Sequence, residues 1–74
     1  FSPHKTIIVE LANGETDLGS YGQVMHQEAG RTTLRVPKSD TPQITARLLT
    51  DLPVLDLTVE DPPIEEVIEQ VFAQ

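Results

Sequence analysis

The chain of 74 residues contains no cysteine and no tryptophan, a single methionine, and three aromatic residues, Phe1, Tyr21 and Phe72. Without cysteine there is no disulfide framework and no thiolate metal site, and a reducing compartment is allowed. His4 and His26 are the only histidines, too few for a convincing imidazole centre. The scarcity of aromatic rings leaves no stacking platform for single-stranded nucleic acid. No apolar run approaches the roughly 20 residues that a bilayer-crossing helix needs, and no basic leader followed by an apolar segment opens the chain. The last absence is local. From Asp51 to Gln74 there is no lysine or arginine, while Asp51, Asp56, Glu60, Asp61, Glu65, Glu66 and Glu69 are all acidic. The rest of the chain balances Lys5, Arg31, Arg35, Lys38 and Arg47 against Glu10, Glu15, Asp17, Glu28 and Asp40, so the net charge of -7 belongs to the C-terminal third. Such an end repels phosphate backbones and anionic headgroups, and neither nucleic acid nor direct membrane insertion is expected.

A chain this short makes one domain, residues 1–74, and buries only roughly 60 to 65% of the surface its unfolded form exposes. It begins with Phe1 and has Met25 as its one methionine. The expectation is a C-terminal piece of a longer protein, with part of the function outside it.

Hydrophobic periodicity divides the chain into alternating elements. In Lys5 to Leu11, the residues Ile7, Val9 and Leu11 share one face of a strand. Asn13-Gly14 is a turn signal, because both residues tolerate positive φ. Gln23 to Glu28 reads as a second strand with Val24 and His26 on the same side. Arg31 to Val36 is a third, in which Thr32, Leu34 and Val36 alternate with Thr33 and Arg35. A helix then starts near Ser39, Asp40 or Thr41, each able to cap free backbone N–H groups, with Pro42 in its first turn. Ile44, Leu48, Leu49 and Leu52 form its inner face, and Pro53 stops it. Leu55, Leu57 and Val59 alternate with Asp56, Thr58 and Glu60 in a fourth strand. After Pro62-Pro63, the residues Ile64, Val67, Ile68, Val71 and Phe72 fall at offsets that make one stripe on a final helix, with Glu65, Glu66, Glu69 and Gln70 on its wet side. The order β-β-β-α-β-α predicts an α+β fold: a small, mostly antiparallel sheet with two helices on one face, one form of which is a partial ferredoxin-like arrangement.

Thr58-Val59-Glu60-Asp61-Pro62-Pro63-Ile64-Glu65-Glu66-Val67-Ile68 resembles the extreme C-terminus of ATP-binding subunits of exporter-type ABC transporters, especially the drug-efflux class. Those subunits often finish with a run like Thr-Val-Glu-Glu-Pro-Ser-Leu-Glu-Asp-Val-Phe. Pro63 stands where that run has serine, and Ile68 where it has the aromatic residue. Upstream, Ile7-Ile8-Val9-Glu10-Leu11, then Thr32-Thr33-Leu34-Arg35-Val36-Pro37, then the apolar-studded helix, look like the accessory domain that follows the ATPase core. The resemblance implies a non-catalytic C-terminal domain that adjusts assembly or couples ATP use to transport. The implied partners are the parent ATPase core, its mate in the ATPase dimer or the membrane permease, with a homodimer as a further form. The implied location is the cytoplasm, at the inner face of the membrane through the transporter. ATP and Mg would be held by the parent's core, and no cofactor by this segment.

The residues agree with a non-catalytic part. A phosphate-cradling loop needs clustered glycines followed by lysine and serine or threonine. Gly14, Gly19, Gly22 and Gly30 have no such sequel, and the Leu-Ser-Gly-Gly signature of an ABC ATPase core is missing. No nucleophile has a base at a recognisable spacing, so no enzymatic role is expected of this segment.

Four groups of residues were weighed for chemistry. His4 and His26 lack a neighbouring ligand at a metal-binding spacing and read as surface histidines, His26 at a strand edge. Glu60, Asp61, Glu65 and Glu66 could supply a hard-cation site, but acids at the start of a helix are already explained by its dipole and open N–H groups. Tyr21, among the glycines of residues 17–22, reads as a turn with one half-buried ring. The terminal stripe Ile64, Val67, Ile68, Val71 and Phe72 either packs on the sheet or docks on another protein. It is the candidate interaction site, with Val71 and Phe72 as its exposed members. A rival reading is a small-molecule-binding regulatory module with a pocket among the loops around residues 14–30, which rests on the α+β layout alone.

Overall fold

A computed structural model describes residues 3–14 and 16–61. Strand β1 runs over His4–Leu11, β2 over Gln23–Glu28, β3 over Arg31–Pro37 and β4 over Val54–Glu60, with helix α1, Thr41–Asp51, between the last two. The four strands form one sheet in the order β2-β3-β1-β4, and every adjacent pair is antiparallel. The fold is therefore α+β, as the periodicity predicts. The second helix expected from about Pro63 lies outside the described residues, together with the stripe Ile64, Val67, Ile68, Val71 and Phe72.

Because β1 is antiparallel to both β3 and β4, those two strands are parallel to each other with β1 inserted between them. The unit β3-α1-β4 is thus a split βαβ, the module of ferredoxin-like sheets. By the same reasoning β1 and β2 are parallel across β3, and their connection, residues 12–22, has no helix among its described residues. It lies on the same face of the sheet as α1, since the Gln27 amide donates to the Thr16 carbonyl at 2.7 Å and to Thr32 Oγ1 at 3.1 Å.

Alternation sets the core face of β1 and β3, with Thr6 the one residue of the two strands that is buried on the other face. Ile7, Val9 and Leu11 face α1 with Thr32, Leu34 and Val36, and all six are buried. Across the sheet this face carries the row Val24, Leu34, Ile7, Val59 and the row Gln27, Thr32, Val9, Leu57. Ile44 and Leu48 close it from α1, and Leu18 closes it from the long connection, fully buried. Nothing in the periodicity singled out Leu18. It reaches the core because an Asx turn, in which the Gly19 N–H donates to Asp17 Oδ1 at 2.9 Å, folds the chain beside it.

Three expectations are corrected by bulges and by helix geometry. Val24 and His26 do not share a face: Val24 pairs with Leu34 and His26 with Thr33, so Met25 is an extra residue and His26 swings to the opposite side. In β4 the shift between Glu10 and Leu11 sets Val54, not Leu55, opposite Leu11, which leaves Leu55 67% exposed while Leu57 packs against the core. Leu49 was assigned to the inner face of the helix but is 56% exposed. One turn of helix separates Ile44 from Leu48, and Leu49 is rotated about 100° off that line.

The helix begins without the expected cap. Asp40 occupies the N-cap position and makes no side-chain cap bond, and a 3₁₀ turn, Lys38–Asp40, leads directly into α1. The Thr41 hydroxyl donates instead to the Pro37 carbonyl at 3.1 Å, and the Thr41 N–H to the Lys38 carbonyl. At the other end the Leu52 N–H donates to the Leu48 carbonyl, Leu52 turns extended, and Pro53 forbids another turn.

The β2-β3 hairpin closes on Ala29-Gly30, with φ of 52° and 81°. Two positive φ values are the mark of a type I′ turn, for which Gly is suited and Ala is not. Gly22 is fixed for a different reason: a Cβ there would lie 2.7 Å from Val36 Cγ1 and 3.1 Å from the Arg35 carbonyl oxygen.

Substitution outcomes follow from these contacts. Leu48→Ala should lower unfolding free energy by about 2–5 kcal/mol, out of a total of roughly 4–11 kcal/mol for a chain of this size. Gly22→Ala should cost about 1–3 kcal/mol by overpacking against Val36. Ala29→Gly should instead stabilise by up to about 1 kcal/mol, because relief of the left-handed alanine, roughly 1–2 kcal/mol, exceeds the roughly 0.4–1 kcal/mol of unfolded-state entropy that glycine adds. Urea denaturation of the three variants checks all of these, and a stabilised Gly22→Ala would contradict the packing described for the connection.

Candidate functional site

One face of the sheet carries α1 and the long connection, and no described element covers the other. Its side chains fall into three rows read across β2, β3, β1 and β4: Glu28, Arg31, Glu10, Asp56; then His26, Thr33, Ile8, Thr58; then Gln23, Arg35, Thr6, Glu60. The face is polar apart from the half-buried Ile8. Its charges are graded, with arginines in β3 and carboxylates in β4.

The first row alternates in sign until its last step. Arg31 Nη2 lies 3.9 Å from Glu10 Oε2, but Glu10 is then in register with Asp56, a like-charge cross-strand pair. Such pairs are destabilising when directly opposed. At the β2 end, His26 Nε2 is 3.1 Å from Glu28 Oε2. In the third row Arg35 is half-buried, and its Nη2 donates to His4 Nδ1 at 3.3 Å. Both histidines therefore lie on this face. Among the described residues no three His, Asp or Glu side chains converge as a metal site.

Of the weighed carboxylates, Glu60 ends β4 on the uncovered face. Asp61 turns away to Lys5, whose Nζ donates to Asp61 Oδ1 at 2.6 Å. That hydrogen bond, and then the charge of Lys5, hold the Asp61 carboxyl below its ordinary value of 3.8. Glu65 and Glu66 lie outside the described residues.

The segment around Tyr21 makes the edge of an open cleft of about 380 Å³ between residues 19–22 and α1, lined also by Gln43 and Arg47. The Tyr21 ring is half-buried, with the Arg47 guanidinium 4.9 Å from its centroid, and its hydroxyl donates to Asp51 Oδ2 at 3.0 Å. The bond to Asp51 raises the phenol above its usual value, burial adding to it. These contacts lash the connection to α1, which is a structural employment for all three side chains.

Two backbone features of the described residues bear on anion binding. The Gly19 N–H is committed to Asp17, and α1 opens on the carboxylate of Asp40, the wrong sign for an anion at a helix N-terminus.

Residues 3–60 match the family model described as EvrA-like ABC transporter, C-terminal domain. No curated protein and no solved structure matches the chain. The matched stretch covers all four strands and α1, and ends before Ile64.

The Lys5–Asp61 pair ties the end of β4 to β1 and gives a pH-dependent outcome. Since the folded carboxyl titrates below its ordinary value, its contribution is complete above pH 3.8 and is lost as pH falls through the folded value. Asp61→Asn should therefore remove part of the acid limb of a melting-temperature profile and leave the neutral region little changed, because the pair is exposed and screened. An unaltered acid limb would assign the acid sensitivity to other carboxylates.

Proposed function

Because the chain belongs to the family of EvrA-like ABC transporter C-terminal domains, we propose that it is the non-catalytic assembly and regulatory domain of an exporter's ATP-binding subunit. One observation carries this reading: the stretch shared with the family is the whole sheet-and-helix unit, and that unit offers a broad uncovered face in place of a phosphate cradle. ATP and Mg are then the business of the parent's core. The domain contacts that core, the mate subunit of the ATPase dimer or the permease, and through them it stays at the inner face of the membrane.

Two features support a docking role. The uncovered face has charged rows toward both ends of its strands, suited to orienting a partner more than to enclosing a substrate. The terminal stripe Ile64, Val67, Ile68, Val71 and Phe72 follows β4 in the chain after Asp61-Pro62-Pro63, and in this reading it is the apolar anchor for the partner. A domain that contacts its partners differently in the two states of a transporter shifts the balance between them, so removing it alters coupling more than intrinsic chemistry.

Deletion of the segment from the parent subunit tests the proposal. ATP hydrolysis by the isolated subunit should persist, while dimerisation, association with the permease or transport per ATP falls. Val71→Asp in the parent should reproduce the assembly defect. Unchanged dimerisation, membrane association and transport after deletion would overturn the reading.

A further inference from the structure

Strand β4 is an edge. Among the described residues it pairs with β1 on one side and with nothing on the other. Residues 56–60 run in unbroken register after the irregularity at Leu55, so the open side presents a regular row of backbone N–H and C=O groups. On the uncovered face this stretch shows Asp56 and Glu60. On the helix face it shows Leu57 and the 41%-exposed Val59.

A bare edge of this kind invites a strand, and its charges decide which. A second copy of β4 is disfavoured: an antiparallel self-pairing centred on Thr58 would set Asp56 against Glu60 and Glu60 against Asp56, with no lysine or arginine from Asp51 to Gln74 to offset them. The opposite requirement is already written into the sheet. Glu10 and Asp56 stand in register as like charges, and the nearest cation, Arg31, reaches only Glu10, from the far side. A cation arriving next to β4 would relieve that pair as well as meet Glu60.

We infer that the free edge of β4 accepts an added strand from a basic, extended segment of another protein chain, whose lysine or arginine side chains alternate with small apolar ones. Backbone pairing with residues 56–60 supplies the ladder, as in other cases of strand addition. The cations lie over Asp56, Glu10 and Glu60 on the uncovered face, and the apolar side chains lie beside Leu57 and Val59 on the other. The acids that prevent self-pairing thereby select the partner. The inference rests on the reading of the domain as a docking module and gives the partner its chemistry.

The test titrates the 15N-labelled chain with a short capped peptide in which lysine or arginine alternates with valine. Controls are the same peptide N-methylated on alternate residues, which cannot complete a ladder, and a glutamate-for-lysine version. Saturable amide shifts and new hydrogen-exchange protection confined to residues 56–60 and their β1 neighbours are expected from the basic peptide alone. Asp56→Asn with Glu60→Gln should weaken that binding roughly three- to tenfold, and N-methylation should abolish it. Four results would overturn the inference: no saturable binding, equal binding of the N-methylated peptide, shifts that map away from β4, or protection in the free chain of those amides of residues 56–60 that point away from β1. Any of them would leave the deletion phenotype in the parent untouched, so failure here is separable from failure of the assembly reading.

Discussion

The insertion of β1 between β3 and β4 is the constraint on which the remaining structure depends. Two parallel strands joined by a helix need a partner between or beside them, and β1 supplies one by pairing antiparallel with both. Ile7 and Val9 are consequently opposed on two sides at once, by Leu34 and Thr32 from β3 and by Val59 and Leu57 from β4. Neither ladder is stable alone, since an isolated antiparallel pair is marginal in water. The position of α1 follows, because the crossover must pass over β1 and can bury only the line Ile44–Leu48 against it.

From that arrangement comes the division of labour between the two faces. The crossover helix and the β1-β2 connection both lie on one side, held together by Tyr21, Arg47 and Asp51, so a chain of this size spends its apolar residues there. What remains for the other side is polar: two arginines, two histidines and a column of carboxylates. A surface of fixed charges on a rigid sheet is suited to orienting a partner, and it lacks the enclosure that chemistry on a small substrate requires.

The legibility of each element varied with how strictly local its cause was. The alternation in residues 5–11 and 31–36 was enough to place the six residues of β1 and β3 that face α1, because a strand with one wet face cannot slip by one residue without exposing its core. Pro53 stopped α1 where expected. The strands at the sheet edges were less legible. Met25 and Leu55 are extra residues whose only role is to reset the register, and such insertions leave no mark in a period-two pattern. Leu49 failed similarly, since four apolar residues on a short helix are more than one line of contact can absorb. The hairpin at Ala29-Gly30 carries only half the expected turn signal, and Asn13-Gly14, the stronger one, opens a crossover.

The site was legible as composition and illegible as arrangement. That the C-terminal third is acidic and that no phosphate-binding motif exists are properties of residue identity, and the sequence alone determined them, together with the α+β class and the core faces of β1 and β3. Which carboxylates become neighbours was decided only by the tertiary structure. Glu10 and Asp56 are 46 positions apart in the chain and meet because β1 is sandwiched between two later strands, a pairing set by long-range closure and not by any local preference. The place of β4 at the border of the sheet formed by the described residues has the same origin: whether a strand lies inside a sheet or at its border depends on the order in which all of them pack.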